Sequence, residues 1–149
     1  MSGIPRFDGL RLVFYHKQST SGRLRFLRFA HGIFGFEPVD AWFELEDDAS
    51  SEACAREART DWHPALLARA AEGHFSLPAG EVEVDTEFDC VYPTSQGLLR
   101  IRALAFTRID PPFAPVEACG ARFFAITESL DLPLIERDIL RRVYEHVLG

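Results

Sequence analysis

The sequence has little cysteine, almost no lysine and no long run of apolar residues. Its three cysteines, Cys54, Cys90 and Cys119, are odd in number and far apart, so neither a disulfide framework nor a CxxC metal or redox pair is expected. No stretch approaches the roughly 18 consecutive apolar residues of a membrane span, and the first residues lack a signal-peptide pattern. These absences predict a cytoplasmic protein without a membrane span.

The size and composition predict a single globular domain over residues 1–149, because 47% of the residues are apolar and 26% are charged. The net charge of -7 argues against a DNA- or RNA-binding protein. The charge is unevenly distributed, since residues 1–36 hold six basic side chains and one acidic one, whereas residues 37–61 hold nine acidic and two basic ones. The basic segment is compatible with an anion site, and equally with pairing between the two segments.

Hydrophobic periodicity and turn signals predict the element order β-β-β-α-α-β-β-β-α. The predicted strands cover residues 9–16, 23–30, 39–45, 81–92, 99–109 and 121–127, and the two central helices cover about 50–61 and 64–73. A C-terminal helix follows, with Asp131 as its cap, Pro133 in its first turn and an apolar stripe at four-residue spacing. The fold class is therefore α+β, a single domain with a mainly antiparallel sheet or a partly closed β-barrel and with its helices on one side.

The strict alternation of residues 81–92 is typical of a half-buried strand that pairs with residues 99–109 as a hairpin. The predicted register pairs Tyr92 with Leu99, Phe88 with Ala103, Val84 with Thr107, Asp89 with Arg102 and Glu83 with Arg108. This register satisfies an apolar face and an ion-paired face at once. It assigns a structural role to these acidic and arginine side chains.

Catalytic motifs are nearly absent, so no catalytic residue, cofactor or metal ligand is assigned. The histidines have no HxH or HExxH spacing, and the HGxxG segment that begins at His31 has no GxSxG partner. The best acid–base candidates are Asp61, His63 and His74, because a carboxylate can orient an imidazole and raise its basicity. The structural alternative is that Asp61 or His63 caps the following helix.

Arg23, Arg25 and Arg28 are the best candidates to hold an anion. Guanidinium groups bind phosphate oxygens bidentately and stay charged at any working pH. Arg23 and Arg25 share one face of a regular strand, and a bulge at Leu27 would return Arg28 to that face. A strand covered on both sides would explain the same pattern without a bulge. The structural alternative is a solvated strand face, or one that pairs with the acidic residues 44–48.

The order of features from Glu81 onward resembles the second half of a PilZ domain. The hairpin is followed by a strand of the form GxRF, here Gly120 to Phe123, and then by an arginine-rich amphipathic helix. PilZ domains are small β-barrels that bind cyclic di-GMP through an RxxxR motif and a D/NxSxxG motif. Here Arg25 and Arg28 have the spacing RxxR, and residues 48–53 read DxSxxA, with alanine in place of glycine. The resemblance implies that Asp48 and Ser50 contribute to an anion site.

Three hypotheses follow. The first is a non-enzymatic ligand-binding or regulatory module, a degenerate PilZ-like domain that binds an anionic nucleotide such as cyclic di-GMP, another anion or a protein partner. The second is a sheet-and-helix fold around an apolar ligand cavity, which the 13 phenylalanines could line. The third is a small enzyme that uses Asp61, His63 and His74. A homodimer is compatible with all three.

Overall fold

The structure is a computed structural model that describes residues 10–35, 63–94 and 97–149. The strands in these ranges are β1 (Leu10–Lys17), β2 (Leu24–Arg28), β3 (Phe34–Gly35), β4 (Val82–Thr94), β5 (Gly97–Phe106) and β6 (Arg122–Phe124). The helices are α1 (Pro64–Phe75), α2 (Phe113–Ala118) and α3 (Leu134–Leu148), with a 3-10 turn at Ile126–Glu128. The α+β class is thus confirmed, and the sheet is open rather than closed into a barrel.

The described strands form one mixed, mostly antiparallel sheet in the order β4-β5-β1-β2-β6, and β3 pairs with β1 on the side of β2. Only the pairing of β1 with β5 is parallel among these strands. The strand β1 is therefore central, with neighbours along both of its edges. None of the described helices is long and apolar enough to cross a membrane.

Apolar cores lie on both faces of the sheet, so the expectation of helices on one side is wrong. Along β1, Leu12 and Phe14 point into one core, and Val13 and Tyr15 point into the other. Helices α1 and α2 cover the first face, and α3 covers the second through the predicted stripe around Ile139. The consecutive apolar residues of β1 are buried because the strand is covered on both sides.

The β4–β5 hairpin has the predicted register only near its turn. Tyr92 pairs with Leu99 and Asp89 with Arg102, as expected. Beyond a bulge between Asp85 and Asp89 the register shifts by three residues, so Val84 pairs with Leu104 instead of Thr107 and Glu83 with Ala105 instead of Arg108. An odd shift reverses the face to which side chains point. Phe88, Cys90 and Tyr92 therefore face α3, whereas Val82 and Val84 face α1.

The ion pairs of the hairpin differ accordingly from the predicted ones. Asp89 accepts a hydrogen bond from Nε of Arg100 at 2.9 Å, diagonally across the strands. Arg108 pairs with Glu81 at 3.4 Å rather than with Glu83. The structural role of Asp89 is thus confirmed with a different partner, whereas Arg108 pairs with an acidic residue other than the predicted one.

The helix ends follow local chemistry. Pro64 lies in the first turn of α1, as predicted, and the cap is His63, whose Nδ1 accepts the backbone N–H of Ala65 at 3.1 Å. Helix α3 begins after Pro133 with no side-chain cap, so Asp131 does not have the predicted role. The short helix α2 was not expected in the proline-rich connection. The predicted elements at 39–45 and 50–61 lie outside the described residues.

Candidate functional site

Strand β2 separates the three candidate arginines onto two faces. Leu24 and Phe26 belong to the core under α3, and Leu27 belongs to the opposite core, so β2 is a regular strand without the expected bulge. Arg25 therefore lies on the face of α2, and Arg28 lies on the face of α3. The predicted grouping of all three arginines is wrong, because coverage on both sides accounts for the irregular pattern of β2 without a bulge.

Arg25 is held in place by two neighbours. Its Nη1 donates a hydrogen bond to Oε1 of Gln18 at 2.9 Å, and its guanidinium lies over the ring of Phe113, 5.7 Å from the ring centre. Burial lowers the pKa of Arg25, and the neighbouring positive charge of Arg23 lowers it further. The two arginines therefore act on each other electrostatically, as expected for side chains on one face.

Within the described ranges, neither Arg23 nor Arg25 forms an ion pair with a carboxylate. The carboxylate of Asp110 acts on Arg25 through space, and its Oδ1 accepts a hydrogen bond from Gln18 at 3.3 Å. The paired positive charge is thus only partly compensated.

A surface cleft of about 600 Å³ is lined by Phe113, over whose ring Arg25 lies, and its charged lining residues are Arg108 and Asp110. The proline-rich segment 108–115 lines the cleft, and it includes Phe113, whose ring makes the cation–π contact with Arg25. Ile109 lines the same cleft and is 71% exposed. We refer to Arg23, Arg25, Ile109 and Phe113 as the Arg23–Arg25 surface.

Arg28 belongs to a different cluster. It lies directly opposite Arg122 in the β2–β6 pair. Its Nη1 and Nη2 atoms donate hydrogen bonds to the two carboxylate oxygens of Asp131, and the Nη1–Oδ1 distance is 2.9 Å. This hydrogen bonding raises the pKa of Arg28 and lowers that of Asp131, on which Arg122 acts in the same direction. We refer to Arg28, Arg122 and Asp131 as the Arg28–Arg122 cluster. Its charges are largely compensated internally.

Asp48 and Ser50 lie outside the described residues, so their distance from either cluster is not described. Arg122 was missed as a site residue, although it stands in the GxRF segment. Its position opposite Arg28 depends on the pairing of β2 with β6, for which a single sequence gives no signal.

The two described histidines of the predicted acid–base group do not converge. His63 and His74 lie at opposite ends of α1, which at 1.5 Å per residue places them about 16 Å apart along the axis. His63 caps the helix, and burial lowers the pKa of His74, whose ring meets that of Phe75 edge-on. Asp61 lies outside the described residues. The alternative interpretation of His63, as the cap of the following helix, is confirmed.

A different titratable cluster forms around the bulge of β4. The Oδ2 atom of Asp85 accepts the hydroxyl of Tyr15 at 2.9 Å and lies 3.0 Å from Nε2 of His146. Burial raises the pKa of Tyr15, and the hydrogen bond to Asp85 raises it further. The cluster ties the end of α3 to the sheet, and no local pattern signals it because its members are 61 and 70 residues apart in the chain.

The glycines of the HGxxG segment serve packing. A Cβ at Gly35 would lie 2.3 Å from a ring carbon of Phe14. A Cβ at Gly32 would lie 2.1 Å from Oε1 of Glu136, which accepts the N–H of Ile33 at 2.7 Å. The segment therefore has a structural explanation.

Three surface clefts are lined by described residues alone, and charged side chains line each of them. All three are open to solvent, whereas the second hypothesis expects an enclosed apolar cavity. No protein-family model matches the chain, and comparison with curated proteins finds no match either.

Proposed function

We propose that the protein is a non-enzymatic binding module that holds an anionic group of its ligand at the Arg23–Arg25 surface. The observation that carries the proposal is a pair of electrostatically interacting arginines that forms no ion pair with a carboxylate among the described residues, with Arg25 lying over Phe113 at the edge of an open cleft. Like charges on one strand face are unfavourable unless another charge compensates them. A bound anion would supply that compensation.

The chemistry of Arg25 suits phosphate. A guanidinium group binds two oxygens of one phosphate with parallel N–H donors, and Gln18 and Phe113 already restrain the orientation of this side chain. Restraint before binding reduces the entropy lost on binding. The cleft of about 600 Å³ is within the size range of small-molecule sites, so the rest of a nucleotide could occupy it.

The resemblance to PilZ domains supports cyclic di-GMP as the first nucleotide to test. Arg28 does not join Arg25 as the second arginine of a PilZ site would, because it lies on the other face of β2 and is bound to Asp131. Arg23 therefore replaces Arg28 as the partner of Arg25.

The test is a thermal-unfolding titration with inorganic phosphate, pyrophosphate, GMP and cyclic di-GMP. A ligand at about 100 times its Kd stabilises the folded state by about 2.7 kcal/mol, which raises the Tm of a domain this size by about 5 to 10 °C. We expect at least one member of the panel to raise the Tm. The double variant Arg23→Ala and Arg25→Ala should lose the rise.

The matched control is Arg141→Ala, which removes an exposed positive charge from α3. This variant should keep the ligand-induced rise in Tm. If no panel member raises the Tm, or if the double variant responds like the wild type, the proposed function is wrong.

A further inference from the structure

The Arg28–Arg122 cluster lies beside two exposed leucines, and together they form a second surface that the proposed function does not use. Leu130 is 79% exposed and Leu134 is 74% exposed, on either side of Asp131 in the chain. We refer to Arg28, Arg122, Leu130 and Leu134 as the Leu130–Leu134 surface. Contiguous exposed apolar side chains that are rimmed by polar groups are typical of protein–protein interaction sites.

The arginine pair is arranged to receive a carboxylate. Arg28 and Arg122 lie directly opposite each other on one face, an arrangement that is unfavourable without an intervening negative charge. Asp131 provides that charge from the loop before α3, and its side chain is 64% exposed. Because Asp131 is the exposed partner and Arg28 is largely buried, the carboxylate is the member of the pair that an incoming carboxylate could replace.

The surroundings of Asp131 indicate the chemistry of an external ligand. The chain itself presents the carboxylate of Asp131 to the two arginines, with Leu130 exposed beside it and Leu132 buried in the core. A cleft of about 680 Å³ is lined by Arg28 and Arg122, by the apolar Phe29 and Ala121, and by the carboxylate of Glu117. A free phosphate or a nucleotide phosphate would use the arginines but not the leucines.

We propose that the Leu130–Leu134 surface docks an acidic segment of a partner protein, in which an aspartate or glutamate stands next to apolar residues. The carboxylate of that segment replaces Asp131 between Arg28 and Arg122, and its apolar side chains cover the leucines. Asp131 thereby acts as an internal competitor. This surface lies on the face of β2 opposite the Arg23–Arg25 surface, so the two proposals stand or fall separately.

The first test is selection of a phage-displayed random peptide library on the full-length protein. The expected result is enrichment of peptides with an acidic residue beside leucine, isoleucine or phenylalanine, and their synthetic versions should bind in solution. Enrichment of peptides without this pattern, or no enrichment over Arg122→Ala, overturns the proposal.

The second test measures the affinity of an enriched peptide for single variants by fluorescence polarisation. Arg122→Ala should weaken binding at least about tenfold, because a charge-assisted hydrogen bond is lost. Leu134→Ser should weaken it about fivefold. The matched controls Arg141→Ala and Leu66→Ser change an exposed arginine and an exposed leucine elsewhere and should leave the affinity unchanged.

The distinguishing variant is Asp131→Asn. As the internal competitor is removed, the peptide should bind about two- to fivefold more tightly. Weaker binding would contradict the competitor role. Displacement of the peptide by pyrophosphate at equal concentration would assign the arginines to a phosphate ligand. Dimerisation that Leu134→Ser abolishes would assign the surface to a second copy of the chain. Either result overturns the proposal.

Discussion

Replacing Gly32 by alanine should be one of the most damaging small substitutions in this protein. The backbone of Gly32 has φ +134°, a conformation that residues other than glycine rarely adopt. A Cβ at this position would also lie 2.1 Å from Oε1 of Glu136. That carboxylate is buried and accepts the N–H of Ile33 at 2.7 Å. The added methyl group therefore both strains the backbone and displaces a buried acceptor.

The magnitude follows from these two effects. An unfavourable backbone conformation costs about 1 to 3 kcal/mol, and loss of a hydrogen bond to a charged group costs about 1.5 to 3 kcal/mol. We therefore expect Gly32→Ala to lower the free energy of unfolding by about 2.5 to 6 kcal/mol, a large share of the roughly 5 to 15 kcal/mol typical of a domain. In urea, at about 2 kcal/mol per M, the midpoint should fall by about 1.2 to 3 M.

The assay is equilibrium urea unfolding followed by circular dichroism, with Gly22→Ala as the matched control. Gly22 has φ +69°, but a Cβ there would meet nothing within 4 Å, so the control isolates the backbone cost of about 1 to 2 kcal/mol. In the Glu136→Ala background the clash is absent, and Gly32→Ala should cost only its backbone strain. Equal losses for Gly32→Ala and Gly22→Ala would refute the reasoning.

Three further predictions concern a helix interior, a helix cap and alkaline pH. Gly73 lies at an exposed position of helix α1, with open space around a new Cβ, so Gly73→Ala should raise the free energy of unfolding by about 0.5 to 1 kcal/mol in the same urea assay. A lower free energy of unfolding would contradict this prediction. His63→Asp should also stabilise, by a few tenths to about 1 kcal/mol, because aspartate is the better cap and suits the positive helix end; a lower urea midpoint would contradict it. Burial raises the pKa of Tyr15 and Tyr92 in the folded state above the 10.0 of an exposed tyrosine, so stability should be intact below pH 10 and fall as the pH rises above it. Tyr15→Phe should flatten that fall in urea titrations at several pH values, and an unchanged slope would contradict the assignment.

Much of the fold could be predicted because local patterns carry it. The alternation of β4, the apolar stripe of α3 and the proline at the start of α1 each specify an element without reference to the rest of the chain. What failed was the assumption that the sheet has a single buried face. The successive Leu12, Val13 and Phe14 of β1 already indicated burial on both faces.

The same assumption led to errors at the hairpin and at the arginines. A half-buried strand would keep one register, but a sheet with two cores tolerates the bulge in β4, because each half of the strand then reaches a different core. In β2, Leu27 is apolar and buried because the second core lies there, so no bulge brings Arg28 beside Arg25. The electrostatic action of Arg23 on Arg25 agrees with the predicted grouping of these two arginines, whose role as an anion site stays a prediction.

Other features of the candidate sites could not be predicted from one sequence. The pairing of Arg28 with Arg122 and Asp131 joins segments about 100 residues apart, as the hydrogen bond with its separation of 103 residues shows. The position of Phe113 under Arg25 depends on how the proline-rich connection crosses the sheet. These contacts arise from tertiary packing, which overrides local pattern.

The most direct test of the central claim is an NMR titration that follows the Nε–Hε signals of the arginine side chains as pyrophosphate, and then cyclic di-GMP, is added. We expect the chemical shifts of the Arg23 and Arg25 signals to change with a common binding curve. The chemical shift of Arg28, which is bound to Asp131, should not change. Unchanged Arg23 and Arg25 signals, or shifts confined to Arg28 and Arg122, would contradict it.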